Sequence, residues 1–203
     1  MKYALAKNGV YWSIQGEGHL SGQQQAFVRL AGCSVGCPQC DTDYAVDRRA
    51  TAEEIADEVE DVMPPGLREK WCWVTGGEPY DRDLHQLITC FREHGFSIAV
   101  ATSGVHRVIE PVDWLSVSPH HYTLVQRFGA EIKLCEGLNG LDLDRFVDLN
   151  PDDTLDFFMR YVQPLSNKDF KEDADSYQRC LEFLKHHPNW SLSRQNQHSW
   201  GVA

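Results

Sequence analysis

Short apolar segments that end in small polar turns recur along this chain, separated by stretches of helical periodicity, and that rhythm leaves few folds open. Residues 25–30 (QAFVRL) are rich in apolar side chains and run into glycine and cysteine, as a buried strand entering a loop does. Thr51 and Glu54 form a capping-box pattern, and Ile55, Val59 and Val62 follow at helical spacing, which predicts a helix over residues 51–62. A strand over 71–75, a helix over 84–94 with Leu84, Leu87, Ile88 and Phe91 on one face, and a strand over 97–101 come next. Further strands are expected at 114–117, 131–134 and 157–162, and Tyr177, Leu181 and Leu184 mark a late helix. Strands alternating with helices form parallel sheets with right-handed crossovers. About six such units point to an incomplete barrel rather than an eightfold one, although periodicity alone fits an open doubly wound sheet equally well.

The length of 203 residues suits a single domain, expected to span 1–203. No apolar run approaches the roughly 20 residues that cross a bilayer, so no membrane association is expected. The start, MKYALAKNGVYW, lacks a signal-peptide pattern, and a cytoplasmic protein is expected. A net charge of -11 opposes phosphate neutralisation and disfavours direct nucleic-acid binding. The acidic stretch over 168–175 reads as a solvated loop or helix start.

Three of the seven cysteines, Cys33, Cys37 and Cys40, are packed into eight residues, in C-x3-C-x2-C spacing, within a glycine- and proline-containing loop after the first strand. That is not a paired disulfide framework; in a reducing compartment it indicates metal. Three thiolates can hold three irons of a cubane cluster and leave the fourth open to a ligand. They can equally support a structural zinc site completed by histidine or carboxylate, and the loop alone leaves both readings open. Cys72, Cys90, Cys135 and Cys180 sit singly among apolar neighbours and are expected to pack as small hydrophobes.

Polar turns follow the expected strands in sequence: Thr75-Gly76-Gly77-Glu78-Pro79, then Thr102-Ser103-Gly104, Ser118-Pro119-His120 and Gln163-Pro164-Leu165-Ser166. In parallel α/β folds ligands bind where the carboxyl ends of the strands converge, so these turns and the cysteine loop are expected to share one site.

Taken together, the CxxxCxxC loop and the GGEP turn that follows it resemble the radical S-adenosylmethionine superfamily. Within it, Ser13-Ile14-Gln15-Gly16-Glu17-Gly18, Phe27-Val28-Arg29-Leu30-Ala31-Gly32, Cys40-Asp41-Thr42 and Ser193-Arg194-Gln195-Asn196-Gln197-His198 resemble the 7-carboxy-7-deazaguanine synthase family across almost the whole chain. The resemblance implies a partial, modified (β/α)6 TIM-like barrel, a homodimer, and ring contraction of 6-carboxy-5,6,7,8-tetrahydropterin with loss of ammonia, on the way to queuosine and related deazapurines. It implies a [4Fe-4S] cluster on Cys33, Cys37 and Cys40, S-adenosylmethionine, Mg2+, and an electron donor such as flavodoxin or ferredoxin.

Residue roles carried over by motif follow. S-adenosylmethionine would be held by Gln39, Asp41, Gly77, Glu78, Ser103, Ser118, Pro119, His120, Gln163, Pro164, Leu165 and Ser166. Thr42 would bind Mg2+, a hard cation that keeps oxygen ligands and water. Ile14, Gln15, Gly16, Glu17, Arg29, Thr75 and His198 would bind the pterin, with Arg29 pairing with its carboxylate through a planar fork. No side chain is expected to serve as acid or base, because the cofactors carry the chemistry. Two positions depart from the superfamily pattern: Gln39 stands where an aromatic is common, and His120 where a lysine is expected. Two rivals are an activase acting on a partner protein, which needs an open groove, and a zinc-stabilised interaction module.

Overall fold

A strand whose two faces meet different surroundings declares them by alternation. In the sequence Glu131-Ile-Lys-Leu, apolar residues alternate with charged ones, so one face of that strand must lie under helices and the other must line something polar. The computed structural model, which describes residues 1–38, 40, 43–167 and 171–202, shows this in that strand, where Ile132 and Leu134 join the core and Lys133 lines a cavity.

Among the described residues the strands are β1 (Lys2–Ile14), β2 (Gln24–Leu30), β3 (Arg48–Thr51), β4 (Trp71–Gly76), β5 (Ser97–Thr102), β6 (Trp114–Val117), β7 (Phe128–Glu136), β8 (Asp156–Pro164) and β9 (Ser191–Leu192). The helices are α1 (Ala52–Val62), α2 (His85–Glu93), α3 (Leu143–Leu149), α4 (Ala174–His186) and α5 (Asn196–Trp200). One sheet runs in the order β3-β1-β2-β4-β5-β6-β7-β8-β9, parallel from β2 to β9 and antiparallel at its β3-β1-β2 edge. The six strands expected from sequence are the six consecutive parallel strands β2, β4, β5, β6, β7 and β8. The architecture is a partial TIM-like barrel.

On the outer face Val28, Val74, Val100, Val117, Ile132, Leu134 and Val162 are fully buried within the main hydrophobic core. α1 adds Ile55 and Val59, both 0% exposed; burying such a side chain stabilises by roughly 1.5–3 kcal/mol. The expected capping box is present: Thr51 Oγ1 accepts from the Glu54 N–H, and Glu54 Oε2 accepts from the Thr51 N–H, an N-terminal cap worth about 1 kcal/mol. On the inner face, paired positions stack in layers. Phe27, Trp73, Ala99 and Trp114 form a row that packs with Leu20 as an apolar floor, while Arg29 and Thr75 lie one layer nearer the carboxyl ends.

Parts of the fold differ from the expectation. The β5–β6 and β6–β7 connections contain no helix, so the strict alternation fails in the middle of the sheet. There the chain between β5 and β6 is held by side chains instead: Gln126 Oε1 accepts from the Val108 N–H and Asp113 Oδ2 from the Ile98 N–H. β1 and β3 had no strong sequence signal, because Asn8-Gly9 interrupts β1 with a turn-forming dipeptide. The strand accommodates it as an irregularity between Leu5 and Val10, with Asn8 at φ 54°. The late helix marked by Tyr177, Leu181 and Leu184 is present as α4, capped where Asp173 Oδ1 accepts from the Ser176 N–H.

Candidate active site

The cysteine loop leaves β2 at Ala31 and is closed where the Gly32 N–H donates to the Tyr44 carbonyl, 2.8 Å away. Residues just beyond the GGEP turn hold it. The Arg82 guanidinium donates to the carbonyls of Ala31 (2.6 Å) and Gly32 (3.2 Å). Asp81 accepts from the Ser34 N–H (2.7 Å) and hydroxyl (2.5 Å) and contacts His106 Nε2 at 2.9 Å. Gly77 lies so close that a Cβ there would fall 1.7 Å from the Gly32 carbonyl oxygen; only glycine permits this approach.

Cys33, Cys37 and Cys40 line one cavity of about 130 Å³ together with Gly76, Gly77, Glu78, Thr102, Ser103, Ser118 and His120. Glu78 is 1% exposed and accepts from Tyr80 N–H (3.1 Å), Thr102 Oγ1 (2.7 Å), Ser103 N–H (2.8 Å) and Ser103 Oγ (2.6 Å). Four donors match the lone-pair capacity of a carboxylate. Glu78 therefore ties the β4 and β5 turns together and leaves the backbone around Gly77 to face the cavity. Cys37 Sγ lies 2.7 Å from His120 Nδ1 and accepts from Asn139 Nδ2 at 3.2 Å. Burial pushes the Cys37 thiol up, while the Asn139 hydrogen bond opposes that shift.

A second cavity, of about 1010 Å³, opens over the inner face of the sheet. Ile14, Gln15, Gly16, Glu17, Arg29, Thr75 and His198, all the residues assigned to the pterin, line it. Arg29 Nη2 donates to Tyr11 Oη at 2.8 Å, and its guanidinium carbon lies 5.0 Å from the centre of the Tyr11 ring. Lys133 forms a short ion pair with Glu17 Oε2, while Glu17 Oε1 accepts from Gln195 Nε2 (2.9 Å) and Gln197 Nε2 (3.1 Å). Burial alone would raise the Glu17 pKa, but Lys133 and the two amides overcome it and hold the carboxyl at about 2. Burial disfavours the Lys133 charge, yet Glu17 and Glu131 keep its pKa above the usual lysine value.

The C-terminal segment roofs this cavity. A Cβ on Gly16 would lie 1.8 Å from Gln197 Oε1, and the Asn196 N–H donates to the Gly16 carbonyl at 3.2 Å. The two cavities share Thr75 and Ala101 as a common wall.

Other assigned residues fall elsewhere. Gln163 Oε1 accepts from Ser193 Oγ, whose oxygen also accepts from the Gly18 N–H, so Gln163 anchors the loop bearing Glu17. Pro164, Leu165 and Ser166 continue from the end of β8. The Leu165 N–H donates to Ser176 Oγ and Ser166 bridges to Glu172. None of these four lines the small cavity. Pro119 is buried between Ser118 and His120. Gln39, Asp41 and Thr42 lie outside the described residues. Tyr11, Trp73, Lys133 and Gln197 line the large cavity without having been singled out as ligands, and Asn139 was missed at Cys37. Lys133 had a signal, the polar face of its alternating strand; Asn139 had none.

The donor set fits an iron–sulfur cluster with one open iron. Three free thiols face one cavity, and no fourth cysteine lines it among the described residues. Cys72 and Cys180 are 0% exposed, as core packing requires; Cys90 is 5% exposed with its thiol donating to Glu53 Oε2, and Cys135 is half-buried. A partial barrel with such a loop at the carboxyl ends of its strands is the layout of a radical S-adenosylmethionine enzyme.

Comparison with known proteins narrows the class. No family model matches the chain. Curated 7-carboxy-7-deazaguanine synthases do: that of Caulobacter vibrioides is 31% identical and that of Bradyrhizobium diazoefficiens 30%, each over 100% of both chains. The synthase of Escherichia coli K12 is 31% identical, again over 100% of both chains. The crystal structure of QueE from Escherichia coli aligns with 96% of this chain and 94% of its own, at 27% identity and a TM-score of 0.70. The chain belongs to the 7-carboxy-7-deazaguanine synthase family.

Proposed function

We propose that this protein is a carbon–nitrogen lyase that converts 6-carboxy-5,6,7,8-tetrahydropterin to 7-carboxy-7-deazaguanine with loss of ammonia. The observation that carries the reading is the pair of cavities meeting at Thr75 and Ala101, one lined by three thiols and the other by a fixed carboxylate and a guanidinium. Cys33, Cys37 and Cys40 would hold the cluster, which when bound supplies the electron that releases a deoxyadenosyl radical from S-adenosylmethionine.

The chain's own residues position the reactants. The backbone around Gly77, set by Glu78, receives the methionyl end, and Ser103, Ser118 and His120 flank it. Residues 163–166 and Pro119 border the same end of the sheet, and Gln39 and Asp41 belong to the cysteine loop. On the substrate side Arg29 presents a planar fork to the pterin carboxylate. Glu17 Oε1 already accepts two amides, but among the described residues Oε2 accepts only Lys133, so one acceptor direction remains for an N–H of the pterin ring. The C-terminal tail docks on Gly16 and lines the pterin cavity through Gln197 and His198, and membership of the synthase family favours the pterin over an activase role. Thr42 with bound water would hold Mg2+. A homodimer, a flavodoxin- or ferredoxin-type donor and a cytoplasmic setting complete the proposal.

The test is anaerobic reconstitution with iron and sulfide, then incubation with reductant, S-adenosylmethionine, Mg2+ and the carboxypterin. The expected product is 7-carboxy-7-deazaguanine. Formation of deoxyadenosine without any deazaguanine would overturn the substrate, and absence of both would overturn the cluster assignment.

A further inference from the structure

On the helix side of the sheet, away from both cavities, two helices bring a thiol, an imidazole and a carboxylate together. Cys90 and His94, four residues apart at the end of α2, share one helix face. Glu53 reaches them from the first turn of α1. Cys90 Sγ lies 3.1 Å from Glu53 Oε2, and His94 Nε2 lies 3.6 Å from Glu53 Oε1. One ligand atom from each of the three residues lies within 4.8 Å of the others.

We propose that Glu53, Cys90 and His94 form a second metal site, for a zinc-class divalent cation, independent of the enzymatic reading above. Bond lengths of about 2.0–2.3 Å in tetrahedral geometry set zinc's ligand atoms roughly 3.3–3.6 Å apart. The His94 separation lies in that span and the Cys90 separation just below it, each to a different oxygen of the Glu53 carboxylate, so a rotation of the exposed Glu53 side chain would present one oxygen to both. A sulfur, nitrogen and oxygen donor set selects zinc or cobalt over Mg2+, which takes oxygen ligands.

The ring of His94 is also held the way a metal-binding imidazole is held. Its Nδ1 lies 3.4 Å from Glu60 Oε2, two turns beyond Glu53 along α1. With the Nδ1 proton donated to that carboxylate, the Nε2 lone pair is directed at Glu53 and Cys90, a carboxylate–histidine–metal relay. Lys70 pairs with the other oxygen of Glu60 at 3.5 Å and so steadies it. Burial first, then Glu53, Glu93 and Asp57, push the Cys90 thiol up to about 12. The same negative field attracts a cation, whose binding would expel the thiol proton and form the metal–sulfur bond. Water would take the fourth position.

The experiment uses the reconstituted holoenzyme under anaerobic conditions, so that iron occupies the cysteine loop. Titration with ZnCl2 by calorimetry, with zinc and iron counted after gel filtration, is expected to show one zinc per chain and an unchanged iron content. Cys90→Ser and His94→Ala should each lose that zinc, and Glu60→Gln, which changes the relay and its Lys70 pair but no ligand atom, should weaken it by roughly 10- to 100-fold. Cys180→Ala should keep it, and MgCl2 should give no binding at this site. Glu53→Gln guards against misfolding, because Glu53 is largely exposed; it too should lose the zinc while retaining the wild-type circular dichroism. Zinc binding equal to wild type in Cys90→Ser or in Glu53→Gln, or no zinc retained by the wild-type holoenzyme, would overturn the site. Neither result touches the proposed reaction, which is read separately from iron content and deoxyadenosine release.

Discussion

The two cavities of the barrel are walled by different kinds of sequence. The small one draws on short local stretches: Cys33, Val35, Cys37, Cys40 and Tyr44 after β2, residues 75–78 and 101–103 at the ends of β4 and β5, and Ser118 and His120 after β6. The large one gathers residues from positions 8 to 202, including a strand lysine and the C-terminal tail. A site assembled from local turns tolerates change at a distance, whereas one closed by long-range pairs couples ligand binding to stability. Substitutions in the two cavities should therefore fail in different ways.

The largest effect is expected in the small cavity. Changing Cys33, Cys37 or Cys40 to serine should abolish deoxyadenosine formation and deplete cluster iron. Cys180→Ala should leave iron content intact and cost about 1–2 kcal/mol in urea unfolding, since it removes one buried sulfur. A cluster that survived Cys40→Ser but not Cys180→Ala would erase the contrast.

Lys133→Met should come next, and its damage should appear as lost stability. It strands the Glu17 carboxylate in a buried site, a change that costs about 3–5 kcal/mol when one partner of a buried pair is removed. The double variant Glu17→Gln, Lys133→Met should recover part of the loss in chemical denaturation, although not substrate turnover. Arg29→Ala should be milder for the fold. It removes a charged hydrogen bond worth about 1.5–3 kcal/mol, so KM for the carboxypterin should rise by roughly 10- to 100-fold with iron content unchanged. Steady-state kinetics with an unaltered KM would reject its pairing with the substrate.

Acid should separate the cavities more gently. The Glu17 pKa is held below its ordinary 4.5, at about 2, so its contribution to stability is present above about 4.5 and is lost as pH falls towards 2. Urea midpoints of cluster-free protein should thus fall more steeply below pH 4.5 in wild type than in Glu17→Gln. The smallest effect belongs to Asn139→Leu, which removes an N–H donor from the Cys37 sulfur. The cluster should still assemble, but its midpoint potential should drop, because hydrogen bonds to sulfur stabilise the reduced state. Potentiometric EPR reads this directly, and an unchanged potential would remove Asn139 from the site.

The amino-acid sequence by itself determined the six parallel strands, the capped helix α1 and the cysteine loop, because each rests on local periodicity, a local cap or a short spacing. It also carried, in scattered motifs, seven of the residues that line the large cavity. Only the tertiary structure decided that β5 to β7 connect without helices, that Asn8-Gly9 is absorbed as an irregularity in β1, and that Gln163 braces Ser193 instead of lining the small cavity. Only there do Glu17, Lys133 and Gln197 meet. Charge pairing and backbone approach across more than a hundred residues depend on how the sheet curls and where the tail lands, and no local pattern encodes that geometry.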